Sequence, residues 1–181
     1  MRRFKQLVNQ HKDRIYSFSF YFLGDAADAE DVTQEVLIRL WEHYRKLDND
    51  RLTGWILRVT RNACVDAYRK RQTYKRVVDV DSDGLDFQHA TTAQPSPESD
   101  LESAEFQQQL HAALSQIPEP HRSIVILREI QDQKYEQISE MLDLPLNTVK
   151  VYLHRGRRQL REALRKLIPH EIAASIEQSS R

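Results

Sequence analysis

Apolar residues recur at three- and four-residue spacing in nearly every long segment of the chain, while the strict two-residue alternation of a strand never persists. This pattern predicts helices over FKQLVNQHKDRIYSFSFYFL, DAEDVTQEVLIRLWEHYRKL and LTGWILRVTRNACVDAYRKR. After a break it resumes in EFQQQLHAALSQI, HRSIVILREI, KYEQISEML and LNTVKVYLHRGRRQLREALRK. All six prolines (Pro95, Pro97, Pro118, Pro120, Pro145 and Pro169) fall at expected helix boundaries or in the break. The expected fold class is all-α: two small helical domains joined by a flexible acidic linker, the second containing a helix-turn-helix.

The second predicted helix sorts its residues onto two faces. Val32, Val36, Leu37, Leu40 and Tyr44 form the buried side, with Asp28 expected as N-cap and Asp31 in the first turn. The other side carries Asp31, Gln34, Glu35, Ile38, Glu42 and Arg45. An isoleucine among carboxylates on a wet face reads as a docking patch with an apolar centre and a charged rim. In the third helix Ile56, Leu57, Thr60, Ala63, Cys64 and Ala67 face inward, which makes Cys64 a small core residue. Trp55, Arg58, Asn62 and Arg69 face outward with Arg61 at their edge, and residues 51–76 hold eight basic side chains against Asp66 alone. Cations interleaved with an aromatic suit unstacked or single-stranded nucleic acid. An equal reading is that Trp55 packs at the helix start while the arginines solvate that face.

Near the C-terminus, Tyr135–Leu142 places Ile138, Met141 and Leu142 on one side, Pro145 is expected to stop that helix, and Asn147 to cap the next. A short helix, a tight turn and a longer basic helix form the helix-turn-helix pattern. Val149, Leu153, Gly156, Leu160 and Leu164 share the inward face of the last helix. Asn147, Lys150, Val151, His154, Arg155 and Arg158 face outward near its start, and Arg161 and Arg165 continue that side. In such a motif the early outward residues reach base edges and the arginine-rich continuation suits phosphates. A solvated basic helix without a ligand is the plainer alternative.

Charge sharpens the division into lobes. The 181 residues balance 27 Lys and Arg against 27 Asp and Glu, yet residues 146–166 carry seven basic side chains against Glu162 alone. From Val77 to Glu105 there is no Lys or Arg, while Asp79, Asp81, Asp83, Asp86, Glu98, Asp100, Glu102 and Glu105 contribute eight acids. Such a segment buries too little surface to offset its ordering entropy, so it reads as a linker rather than a loop within one domain. The expected organisation is a helical lobe over 1–76, a linker over 77–104, a second lobe over 105–169 and a tail over 170–181. Each lobe is short, so each core is expected to be thin.

With 40% hydrophobic and 30% charged residues the chain has the composition of a soluble globular protein. Its longest uncharged apolar run, Ile15 to Gly24, is about half the ~20 residues that span a bilayer, and no secretion signal is read at its start. One cysteine, Cys64, excludes an internal disulfide framework and fits a reducing, cytoplasmic setting. His11, His43, His89, His111, His121, His154 and His170 show no ligand or triad spacing, and no helical Glu-x-x-His accompanies the carboxylates. No metal, cofactor or catalytic residue is therefore assigned.

DAEDVTQEVLIRLW, GWILRVTRNACVDAYRKR and LSQIPEPHRSIVILREIQDQKYEQISEMLDLPLNTVKVYLHRGRRQL, in this order and split by an acidic spacer, resemble the extracytoplasmic-function (ECF) class of bacterial RNA polymerase sigma factors. The resemblance implies that the first lobe docks on the polymerase clamp and captures the melted −10 element. It implies that the second holds the −35 duplex and touches the polymerase flap. By position, Asp31, Gln34, Glu35 and Ile38 match the clamp-docking face, and Trp55, Arg58, Arg61, Asn62 and Arg69 the −10 face. Asn147, Lys150, Val151, His154, Arg155 and Arg158 fall on the −35 reader. The acidic spacer is similar to the family linker that lies where RNA later passes. Core RNA polymerase, promoter DNA and an anti-sigma factor are the implied partners, with no direct membrane insertion. Two departures stand out: Val151-Tyr152 replaces the family's Ser-Arg, and KLDNDRLTG is a short loop before Trp55. A stand-alone helix-turn-helix regulator is the alternative; it would leave the Trp55 face and the acidic docking face without roles.

Overall fold

The computed structural model describes residues 2–81 and 100–167, all of whose regular elements are helical. Residues 82–99 of the expected linker and the whole of the expected tail lie outside the described residues. The chain divides into two compact units, Met1–Thr92 and Ala93–Arg181. Among the described residues no helix is long and apolar enough to cross a membrane.

The first unit holds α1 (Arg2–Leu23), α2 (Ala26–His43) and α3 (Asn49–Asp81). α1 stops at Gly24, whose φ of 72° an L side chain rarely adopts and whose N–H donates to Phe20 O at 2.9 Å. That stop leaves Asp25 extended, and its carboxylate accepts from Asp28 N–H at 2.9 Å. Asp25 is thus the N-cap, and α2 starts a turn earlier than the sequence suggests, with Asp28 inside it. Ile15, Phe18, Phe22, Val36, Leu40, Ile56, Leu57 and Cys64 fill the core between the three helices. Buried hydroxyls return to their own helices: Ser19 Oγ donates to Ile15 O (2.9 Å), Thr33 Oγ1 to Ala29 O (2.6 Å) and Thr60 Oγ1 to Ile56 O (2.8 Å). No glycine or proline lies between Gly54 and Gly84, and α3 runs on to Asp81, five residues into the stretch expected as linker.

The second unit holds α4 (Asp100–Ser115), α5 (His121–Val125), a π turn (Ile126–Ile130), α6 (Tyr135–Leu142) and α7 (Leu146–Leu167). α4 likewise begins inside the expected linker. Its C-terminal end is tied down by the buried Arg122, whose guanidinium donates to Ser115 O at 2.7 Å and Ile117 O at 3.0 Å. The expected single helix HRSIVILREI widens into a π turn, where Gln131 N–H reaches Ile126 O at 3.0 Å. Ile117, Ile124, Ile126, Leu127, Ile138, Val149 and Leu153 make the core.

Candidate nucleic-acid interfaces

The turn between α6 and α7 fixes how α7 is presented. Asp143 adopts φ 53° and ψ 47°, ending α6 two residues before the proline expected to do so. Leu144 N–H then donates to Ser139 O (3.1 Å), and Ser139 Oγ donates back to Leu144 O (2.5 Å). Pro145 instead precedes α7 and its carbonyl accepts from Val149 N–H at 3.1 Å. Asn147 lies within the first turn of α7 rather than at its cap, which leaves its side chain exposed.

Asn147, Lys150, Val151, His154, Arg155 and Arg158 are all exposed along one side of α7. Among the described residues Lys150, His154 and Arg155 enter no ion pair, whereas Arg158 Nε lies 3.7 Å from Glu162 one turn on. Val149, Leu153 and Gly156 are buried on the opposite side; Leu160 and Leu164 are only half-buried, and Ala163 takes the deep position between them. Tyr152, which with Val151 makes one of the two departures, does not join the outward row. Its ring packs against His121, centroids 4.8 Å apart, while His121 Nδ1–H donates to Gln159 Oε1 at 3.0 Å.

Not every cation of α7 faces outward for a ligand. Arg157 Nε and Nη2 donate to Glu129 Oε1 at 2.9 and 2.6 Å, and these bonds hold the guanidinium above its ordinary pKa. Charge counting along the sequence missed this pairing, because the π turn that sets Glu129 has no clear sequence signal.

In the first unit Asp31, Gln34, Glu35 and Ile38 are all exposed on α2, with Ile38 at 61%. Glu35 accepts from Arg39, leaving Ile38 beside an ion pair rather than among bare acids. Trp41, one turn beyond Ile38 and 45% exposed, extends this apolar centre. Its ring meets Phe4 edge-on at 4.8 Å and stacks on Tyr44 at 5.6 Å. Sequence reasoning passed over Trp41, although its three-residue step from Ile38 signals it.

On α3, Arg58, Asn62 and Arg69 are exposed and Trp55 and Arg61 are half-buried. The Trp55 ring lies 5.6 Å from that of His43, so the tryptophan has a structural neighbour and an open side together. Arg61 Nη1 donates to Asn62 Oδ1 at 3.2 Å. Arg69, about 21 Å along the helix from Trp55 at 1.5 Å per residue, lines a groove with Asp28, Asp31, Glu35, Asp66 and Lys70. It stands nearer the carboxylates of α2 than the aromatic end of its own row. Arg71 Nη1 pairs with Asp28 Oδ2 at 3.2 Å. Among the described residues no group of three or more His, Cys, Asp or Glu side chains is placed to hold a metal ion.

Comparison with known proteins matches both units. The family described as Sigma-70 region 2 matches residues 7–74, and Sigma-70, region 4 matches residues 107–160. The ECF RNA polymerase sigma factor SigE of Mycolicibacterium smegmatis is 33% identical over 166 residues, spanning 92% of this chain and 63% of that protein. The ECF RNA polymerase sigma factor SigW of Bacillus subtilis is 30% identical over 168 residues, 91% of this chain and 90% of that one. Among solved structures, the sigma factor RpoE of Bartonella quintana, in complex with the anti-sigma factor NepR, shares the fold. Its TM-score is 0.70 at 23% identity, over 91% of this chain and 98% of that one. CnrH in complex with the cytosolic domain of CnrY gives 0.68 at 20% identity, over 91% and 89%.

Proposed function

The chain belongs to the extracytoplasmic-function sigma factors, and from that premise we propose how its exposed faces divide the work of promoter-specific initiation. Region 2 and region 4 in one chain set it apart from a stand-alone helix-turn-helix regulator. Asp31, Gln34, Glu35 and Ile38 dock on the clamp of core RNA polymerase, with Ile38 as the apolar centre. Trp55, Arg58, Arg61, Asn62 and Arg69 receive the melted −10 strand, where an aromatic stacks on bases and cations follow phosphates. Asn147, Lys150, Val151, His154, Arg155 and Arg158 enter the major groove of the −35 duplex.

The observation that carries this reading is the outward row on α7, held on a region 4 scaffold in the same chain as an exposed Ile38. The working lobes are 1–76 and 105–169, with α3 and α4 running five residues beyond them, and the acidic stretch between lies in the polymerase where RNA later passes. DNA affinity of each lobe alone is weak, since few phosphates are neutralised. Docking on core raises the effective concentration of the second lobe once the first engages. The chemistry of phosphodiester formation belongs to the polymerase, and the site of action is the cytoplasm. An anti-sigma factor is a further partner in this reading, as RpoE of Bartonella quintana is found in complex with the anti-sigma factor NepR.

The test is transcription by bacterial core polymerase on a library of promoter fragments, with and without the protein. Initiation at discrete sites only in its presence is expected, and those sites give the −35 and −10 sequences. Selection of duplex DNA by the protein alone, with no binding to core, overturns the proposal.

A further inference from the structure

Val151 is the one apolar side chain in an otherwise polar outward row. It is 46% exposed, with Asn147 and Arg155 one turn away on either side and Lys150 and His154 adjoining. Its neighbour Tyr152 is drawn back onto His121, so the aromatic ring does not cover it. A lone exposed valine on a protein surface needs no explanation. This one sits in the second turn of a helix whose early outward residues are the ones that reach base edges.

The one alkyl group on the major-groove edges of the four bases is the C5-methyl of thymine. A branched alkyl side chain can neither donate to nor accept from guanine, adenine or cytosine, and pressing it against their polar edges leaves those groups unpaired. Against a thymine methyl it buries two apolar surfaces together. A valine in a helix holds nearly one χ1 rotamer, so its methyl groups arrive already placed and little freedom is lost on contact. Asn147 and Arg155 flank it with the side-chain types that recognise adenine and guanine, so the apolar contact would fix a thymine between hydrogen-bonded positions.

We infer that Val151 reads the 5-methyl group of a thymine in the −35 element, making a methyl contact part of this protein's promoter selection. The inference rests on the assignment of α7 as the −35 reader. Burying one methyl group is worth about a fourfold change in an equilibrium constant, and that is the discrimination expected.

The experiment uses the full-length protein with core polymerase and a promoter taken from the initiation library. Each thymine of the −35 segment, on either strand, is replaced in turn by deoxyuridine, which removes the methyl group and nothing else. One such replacement is expected to lower promoter-complex formation about fourfold, and Val151→Ala is expected to abolish that difference while binding both duplexes equally. Alanine favours helix at this exposed position, so the variant folds, as its circular dichroism will show. A promoter indifferent to every replacement, or a penalty unchanged in Val151→Ala, overturns the inference and leaves the sigma reading intact. No protein-dependent initiation on any fragment overturns both.

Discussion

A Cβ placed on Gly156 of α7 would lie 2.6 Å from Val125 Cγ2 of α5 and 3.3 Å from the His121 carbonyl oxygen. Val125 is fully buried and β-branched, so it has no alternative rotamer to retreat into. Glycine is what lets α7 lie this close to α5. Gly156→Ala is therefore expected to lose on the order of 1–3 kcal/mol by overpacking, although alanine in a helix interior ordinarily gains ~1 kcal/mol over glycine. Urea denaturation reads the balance, and Val125→Ala in the same chain should restore part of the loss. A Gly156→Ala protein as stable as the parent would show that the two helices separate freely.

Ile38 makes the opposite case, a large side chain that the fold does not need. At 61% exposure its replacement by alanine should leave the unfolding free energy within about 0.5 kcal/mol of the parent. Core polymerase affinity should fall at least tenfold for Ile38→Glu, because a docking centre is lost and a charge is buried without a partner. Titration of core with labelled protein measures it, and unchanged affinity would move the docking face elsewhere.

Arg157 and Arg158 are adjacent cations with different expected readouts. Arg157→Ala removes the bonds to Glu129 and should cost up to about 1 kcal/mol of stability, as partly exposed ion pairs do. Its effect on the salt dependence of promoter binding should be small. Arg158→Ala should do the reverse, lowering the magnitude of the logarithmic salt slope by about 0.9 if it contacts one phosphate. Equal effects of the two substitutions on the slope would refute the distinction.

Trp55 touches His43 on one side, so its removal must be read by two assays together. Trp55→Ala should weaken capture of a melted −10 strand by roughly 5- to 150-fold, the range for losing one stacked base. Trp55→Phe should recover part of it. If the alanine variant loses thermal stability but holds single-stranded DNA normally, the tryptophan only packs the helix start.

Two buried histidines set a pH dependence of stability. Desolvation lowers the pKa of His11 and of His111 below the ordinary 6.5, and at His11 the charge of Arg14 adds to it. The folded pKa being the lower one, the unfolded chain binds more protons as pH falls through the window beneath 6.5. Stability is then full above that window and declines as pH drops toward the folded pKa, by at most about 1.4 kcal/mol per pH unit for each group. Denaturation at pH 7.5 and 5.5 should show the loss, and His11→Leu should flatten it in the first unit, as hydrogen exchange can resolve. A parent protein equally stable at both values would contradict the assignment.

The sequence was most legible where one signal acts alone. Helical spacing located the elements, and the outward row from Asn147 to Arg158 is exposed residue for residue because a long amphipathic helix has only one way to bury Val149 and Leu153. It was least legible at helix ends, where neighbouring residues compete. Both Asp25 and Asp28 are able to cap α2, and the decision fell to Gly24, whose positive φ fixes where the chain turns. At the α6–α7 turn Pro145 is the conspicuous breaker, yet Asp143 does the breaking from a left-handed conformation that sequence alone rarely assigns to aspartate. The Arg157–Glu129 pair was hidden because a π turn shifts the facing of every residue after it.

The α6–α7 hairpin is less portable than its compact sequence implies. α7 is held from behind by Val125, Glu129 and His121, and α5 is in turn anchored through Arg122 to the Ser115 carbonyl at the end of α4. A promoter-swapping chimera cut just ahead of Tyr135 would carry the outward row of α7 but leave its backing behind. The natural cassette for exchange between relatives begins upstream of α4's end, so that reader and brace are inherited as a single piece.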